Sequence, residues 1–307
     1  MTPKRVAVLM GGVSAEREVS LVSGEACARA LEERGYEALR LDAAEDLPRR
    51  LLDLRPDVAF NALHGRFGED GRVQGLLDLL GIPYTHSGVL ASALAMDKPM
   101  AKRIFAESGL RCPEGVDTDL ASVLCRPPMD PPFVVKPAAE GSSVGVAIVL
   151  GPDLRPLLER NDLDPAHRVL VERFVPGREL TCGVLDDEPL AVTEIRPRGD
   201  GFYDYRAKYT EGFADHLVPA PLPEALTLRV MAWALRAHRA LGCRGVSRAD
   251  FRYDPDEPDE DRRLYLLEVN TQPGMTPLSL VPEQAAHRGI AFADLVVRLV
   301  ETARCDR

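Results

Sequence analysis

The 307-residue chain has no apolar run near the roughly 18 residues that a membrane-spanning helix needs. Its opening, MTPKRVAVLMGG, leads straight into a strand pattern and lacks the apolar region and cleavage site of a signal peptide. These two absences predict a cytoplasmic protein without a membrane partner. There is also no C-x-x-C pair. Cys27, Cys112, Cys125, Cys182, Cys243 and Cys305 lie scattered, with no histidine in ligand spacing. That argues against zinc or dithiol redox chemistry and predicts free thiols, mostly small core residues. Excess positive charge is missing too: 38 Lys and Arg stand against 48 Asp and Glu, a net charge of −10. Such a balance offers no footprint for a nucleic-acid backbone, so a phosphate ligand would have to meet a local basic site.

What is present is the composition of an ordinary soluble globular protein, 45% hydrophobic and 28% charged. The chain is longer than a single core usually grows, which predicts two or three subdomains. Residues 6–10, 36–41 and 57–63 read as short strands separated by helical patterns ending near residues 34 and 80. That alternation predicts an open parallel α/β domain with ligands at the carboxyl ends of its strands, where Gly11-Gly12 and His64-Gly65 stand. A helix over 97–108 follows. From Cys112 onward, prolines precede FVVKPA, VGVAIVL, RVLVERF and ELTCGVL, the texture of a small antiparallel α+β unit. A third segment from Glu194 holds a polar loop over 198–215, a long helix over 223–241 and two strands, SRADFRYD and RLYLLEVN. The acidic DPDEPDEDR between them reads as a solvated hairpin tip.

Four groups of residues carry chemistry. Glu268 and Asn270 stand two apart on one predicted strand and share a face, with Asp250 on the strand expected to pair with it. Oxygen donors without His or Cys select magnesium or manganese. Alone, E-x-N fits a solvent-facing polar pair better, but Leu266, Leu267 and Val269 imply a buried strand, where such oxygens are costly unless they bind something. Second, Lys136 ends the apolar strand FVVKP, and Gly141 and Gly145 would let the loop after it close over a phosphate; a structural glycine turn explains the stretch equally well. It is no Walker A sequence. Third, Glu172 to Val175 and Glu179 offer acceptors beside an apolar edge suited to adenine and ribose, although two ordinary strands around a turn would read the same. Fourth, Gly11-Gly12 opens a helix whose first turn carries Glu16, a partner for an ammonium; the third glycine of a dinucleotide fingerprint is missing.

Together and in this order, MGGVSAEREVSL, NALHGRFGEDGRVQG, MDKPMAK, VVKPAAEGSSVGV, VERFVPGREL, YDYRAKY, SRADF and LLEVNTQPGMT with SLVPE resemble the D-alanine:D-alanine ligase family of the ATP-grasp superfamily. The resemblance implies an N-terminal open parallel α/β domain followed by an ATP-grasp pair of α+β domains. The spans would be 1–96 for substrate, 97–187 for the central unit, and 188–307 for the unit with metal and substrate residues. It implies ATP-dependent joining of two D-alanines through an acyl phosphate for peptidoglycan precursor synthesis, and a homodimer. By matching motifs, Lys98, Lys136 and Lys208 would contact nucleotide phosphates, and Glu172, Val175 and Glu179 the adenosine. Asp250, Glu268 and Asn270 would hold two Mg2+ ions, with Mn2+ as a substitute. Glu16 would take the ammonium of the first D-alanine, with His64 close by. Arg248 and the Gly274 backbone N–H would face the oxyanion, and Ser279 and Lys208 the carboxylate of the second D-alanine. Tyr209, Ser142 and Glu16 would form a hydrogen-bonded set.

The sequence departs from the family pattern at His86, where glycine is frequent, and at Arg206, where an acidic residue is common. His86 reads as a neutral surface change or as a contact near the first domain's crevice. Two other functions fit the motifs less closely: a D-alanine:D-lactate ligase, and a nucleotide-binding regulator that kept the fold without the reaction. Lys208-Tyr209 matches the amine-using pattern, and a regulator would need no oxyanion donor such as Arg248.

Overall fold

The computed structural model describes residues 3–44, 46–141, 145–154, 157, 164, 166–198, 214–277 and 279–306. The three N-terminal strands β1 (Arg5–Met10), β2 (Glu37–Asp42) and β3 (Val58–Asn61) form a parallel sheet in the order β2-β1-β3. Every residue of β3 is buried and only Arg5 of β1 is not, the pattern of a strand covered on both faces. Helices α2 (Leu47–Leu54) and α3 (Arg72–Leu80) close one face around Leu51, Leu77 and Tyr84. The other face packs on α1 (Arg17–Glu33) through Cys27, Ala28 and Leu31. Leu295, Val296, Leu299 and Val300 join that same cluster, although they come from the far end of the chain.

Helices α4 (Val89–Met96) and α5 (Lys98–Glu107) lead into a four-stranded antiparallel sheet of order β4-β7-β5-β6. Its strands are β4 (Gly115–Asp119), β5 (Phe133–Pro137), β6 (Ala147–Val149) and β7 (Arg168–Arg173), backed by the short helix α6 (Leu120–Cys125). Asp97 caps α5, its side chain accepting from the Met100 N–H, with Pro99 where a missing N–H costs nothing. A five-stranded antiparallel sheet follows in the order β10-β9-β8-β11-β12. It contains β8 (Arg178–Leu185), β9 (Glu188–Pro197), β10 (Ala214–Leu217), β11 (Val246–Tyr253) and β12 (Leu264–Asn270). Helix α7 (Glu224–Ala240) covers one face through Val230, Ala234 and Ala237, against Ala249, Phe251, Leu266 and Val269. Helices α8 (Leu280–His287) and α9 (Phe292–Glu301) end the chain.

Strand pairing redraws several expectations. A boundary after residue 187 would split the β8–β9 hairpin, whereas the change of sheet falls in the turn between Arg173 and Arg178. The last helix adds its apolar side to the N-terminal core, so that core is not confined to residues 1–96. Asp215 lies in β10, ion-paired with Arg198, and not within a loop. The cysteines are free, yet only Cys27 and Cys182 are fully buried; Cys125 is exposed and the other three lie between.

His86 is a correction of a different kind, because it is buried with 1% exposure and not on the surface. Its φ of 69° is left-handed, a conformation that glycine adopts without strain. The ring stands edge-on to Phe60 at 5.6 Å, with Nδ1 2.8 Å from Thr85 Oγ1 and Nε2 without a partner among the described residues. Burial, helped by the charges of His64 and Arg244, pushes its pKa down to about 3. The unfolded chain therefore takes up a proton near pH 6.5 that the folded chain refuses. Stability from this group is complete above about pH 6.5 and is lost as pH falls toward 3. Urea unfolding at pH 7 and pH 5 should show His86→Gly losing roughly 1–2 kcal/mol less than the parent over that interval. Equal losses in the two proteins would contradict it.

Candidate active site

The β11–β12 pair sets Arg248 opposite Asn270 and Asp250 opposite Glu268, so four chemistry-bearing side chains share one face. The alternate residues Ala249 and Val269 point into the core under α7. Beyond Asp250 the register slips, with Phe251 facing Leu266, and this bulge lets both Leu267 and Glu268 reach the same cleft. Strand register thus sets these side chains on one face, opposite the core.

That cleft lies between the four-stranded and five-stranded sheets. Lys98, Lys136 and Glu172 line one side, and Glu179, Asp250 and Glu268 the other, with Val175 at the edge. The apolar walls around a few charged groups suit a nucleotide. Lys136 ion-pairs with Glu172, and Lys102 donates to the second Glu172 oxygen at 2.5 Å. Burial alone would lower the Lys136 ammonium, but the charges of Glu172 and Glu268 outweigh it and hold the group above the ordinary lysine value. Burial would likewise raise Glu172, and the two lysines hold it below the usual carboxylate range. The Glu172 carboxylate thus answers to lysines rather than standing ready for adenosine. The Val175 carbonyl accepts from Arg252 Nε at 3.1 Å, and Glu179 faces Arg252 at 3.6 Å.

Lys98, first residue of α5, donates to the Glu140 carbonyl at 2.5 Å and stands 3.7 Å from Glu268. Arg248 forks onto Asp250 at 2.8 and 2.7 Å, and Thr181 donates to the same carboxylate at 2.7 Å. Asn270 Oδ1 accepts from the Gln272 N–H at 2.7 Å. Among the described residues no three His, Cys, Asp or Glu gather closely enough to hold a metal. Two carboxylates and an amide oxygen on one strand-pair face still fit a hard cation, since the third donor is an asparagine.

A second group sits at the carboxyl ends of β1 and β3. Glu16 is 4% exposed, just before α1. His64 lies 3.3 Å from Glu69 and 3.2 Å from Ser23. A Cβ on Gly65 would fall 2.9 Å from Glu16 Oε1, and one on Gly141 would fall 3.0 Å from that oxygen and 3.3 Å from Glu69. The loop after Lys136 therefore comes close to the first domain's two buried acids at Gly141. Gly274 packs on Ser279, where an added Cβ would stand 3.0 Å from Oγ; Ser279 stands just before α8, its Oγ bonded to Thr276 and not to the helix. Ser142, Lys208 and Tyr209 lie outside the described residues.

Two family models match the sequence: D-ala D-ala ligase N-terminus over residues 42–87 and D-ala D-ala ligase C-terminus over 124–301. The D-alanine–D-alanine ligase of Agrobacterium fabrum (strain C58 / ATCC 33970) is 54% identical over the whole of both chains. That of Methylocella silvestris is 56% identical over 99% of each. The chain belongs to the D-alanine–D-alanine ligase family. Its fold matches the crystal structure of D-alanine–D-alanine ligase from Bacillus anthracis complexed with ATP, with a TM-score of 0.81, 33% identity, and coverage of 98% of this chain and 97% of that one.

Within this D-alanine–D-alanine ligase family member, three residues that sequence reading passed over tie the site together: Lys102, Glu69 and Gln272. Lys102 could have been found, since it follows Lys98 by one helical turn. Gln272 is buried at 1% and bonds both ways with Asn61, accepting from its Nδ2 at 3.1 Å and donating to its carbonyl. It links the strand carrying Asn270 to the strand leading to His64. Gln272→Leu takes the Gln272 donor from the Asn61 carbonyl and leaves the Asn61 amide with the Gly68 carbonyl alone, at about 1–3 kcal/mol per group. Urea denaturation should register a loss of at least about 2 kcal/mol; an unchanged midpoint would show that the link carries no stability.

Proposed function

We propose that the chain joins two molecules of D-alanine using ATP, through an acyl phosphate on the first, in the synthesis of peptidoglycan precursors. One observation carries the reading: a lysine-lined sheet and a sheet with oxygen donors and an arginine face each other across one cleft, whose lysine side reaches the Glu16–His64 group through residues 140–141.

A carboxylate resists attack by an amine until one oxygen becomes a leaving group. Phosphoryl transfer to it is chiefly positioning and charge neutralisation. Lys98 and Lys136 hold the phosphate chain, with Lys208 assigned from its motif alone. Glu16 pairs with the ammonium of the first D-alanine, fixed by its packing against Gly65 and Gly141. Asp250, Glu268 and Asn270 would hold Mg2+ or Mn2+, which when bound offsets phosphate charge. Arg248, freed from its fork on Asp250 once the nucleotide occupies the cleft, meets the oxyanion that forms when the second amine attacks, with the Gly274 N–H as the other donor. Ser279, at the start of α8, receives the second carboxylate, where backbone N–H groups and the helix dipole favour an anion. Tyr209 and Ser142, assigned from their motifs alone, would complete the set with Glu16.

Homodimer formation and a cytoplasmic location belong to this proposal on family resemblance. No helix among the described residues is long and apolar enough to cross a membrane.

Incubation with ATP, Mg2+ and D-alanine followed by mass detection should yield D-alanyl-D-alanine, with ADP in equal amount; ADP without dipeptide would sink the reading. Glu268→Gln should lose most turnover even at saturating Mg2+ while keeping the fold. Arg248→Ala should lower kcat by roughly 100-fold or more with little change in ATP affinity by calorimetry. Lost ATP binding with kcat intact would reassign Arg248 to the phosphates.

A further inference from the structure

We infer that Lys102 is a positioning residue for the nucleotide phosphates: it holds Glu172 paired so that Lys136 can turn from that carboxylate to a phosphate oxygen. The inference rests on the nucleotide reading of the cleft.

The geometry is a row of three charges. Lys102 Nζ donates to the Pro113 carbonyl at 2.6 Å and to Glu172 Oε2 at 2.5 Å, while Lys136 takes Oε1. The three side chains are 11%, 4% and 8% exposed, so water screens none of them well. Lys136 and Glu172 line the cleft, whereas Lys102 does not. It can reach a ligand only through Glu172.

Charge counting gives the consequence. Two ammonium groups share one carboxylate, which leaves one positive charge in excess at the wall of the cleft, since Glu268, whose charge also acts on Lys136, is matched by Lys98 at 3.7 Å. Cys112 does not alter the sum, because burial pushes its thiol up to about 11 and it stays neutral near pH 7. A phosphate that draws Lys136 away would strand a buried carboxylate, were Glu172 not still held on its other oxygen. Leaving such a charge alone is what makes breaking a buried pair costly. Without Lys102, Lys136 and Glu172 make a neutral, self-satisfied pair that offers a phosphate nothing.

The position also explains why a lysine stands there. Lys98 and Lys102 occupy i and i+4 of α5 and project from one side of the helix. One turn brings Lys98 to the cleft wall itself, and the next brings Lys102 behind Glu172. Asp97 fixes the start of the helix by accepting from Met100, so both ammonium groups are set by one cap.

Calorimetry of adenosine and of ADP with Mg2+, on the parent and on Lys102→Met and Lys102→Gln, separates the possibilities. Glutamine can still donate to Glu172 or Pro113, so it keeps the buried polar groups partnered if methionine disrupts folding. In both variants ADP should bind roughly 10- to 100-fold more weakly, while adenosine, which lacks phosphate, binds within about twofold of the parent. Undiminished ADP affinity in a folded variant overturns the inference. So does an equal loss for adenosine and ADP, which would make Lys102 a support for the shape of the pocket. A parent protein that binds no ADP overturns the nucleotide reading itself.

Discussion

A charge taken out of water needs a partner, and this demand organises the cleft. Glu172 is held by two lysines, Asp250 by Arg248 and Thr181, and Lys98 by a carbonyl with Glu268 beside it. On the proposed function, each pairing uses a group the reaction would need. Nucleotide and metal ions would then enter by exchange, taking over partners that the protein supplies to itself beforehand. A carboxylate or ammonium too firmly satisfied would refuse the exchange, and one left unpaired would endanger the fold.

The exchange needs accurate placement, which comes from the opposite faces of the same strands. Ala249 and Val269 lie in the core beneath α7 because side chains alternate along β11 and β12, and that burial fixes Arg248, Asp250, Glu268 and Asn270 on the opposite face, where Asp250 and Glu268 line the cleft. The N-terminal sheet is tied in at two places. Gln272 grips Asn61, and Gly141 lets the end of the central sheet's loop rest against Glu16 and Glu69. The last helix seals the arrangement by giving its apolar side to the N-terminal core. Chain order and spatial unit therefore part company, since the first and last segments share one core.

Alternation made much of this legible in the sequence. Parallel strands around Val8 and Phe60, the long helix over 223–241 and the facing of Asp250 and Glu268 all follow from local periodicity, which strand pairing then preserves. The family membership followed from the order of motifs. What escaped was nonlocal. Nothing near Gln272 in the chain announces that its partner is Asn61, 211 positions away. The membership of β8 in the later sheet depends on pairing with β11, and the burial of His86 depends on distant Phe60, edge-on to its ring. Lys102 is the intermediate case, since its helical phase with Lys98 was visible while its partner, Glu172, was not.

The most direct measurement is a crystal structure of the chain with ADP and Mg2+ bound. The account predicts that Lys136 Nζ will lie on a phosphate oxygen, that Lys102 will remain on Glu172, and that Arg248 will have left Asp250. Nucleotide and metal bound with all three ion pairs unchanged would contradict partner exchange as the principle of this site.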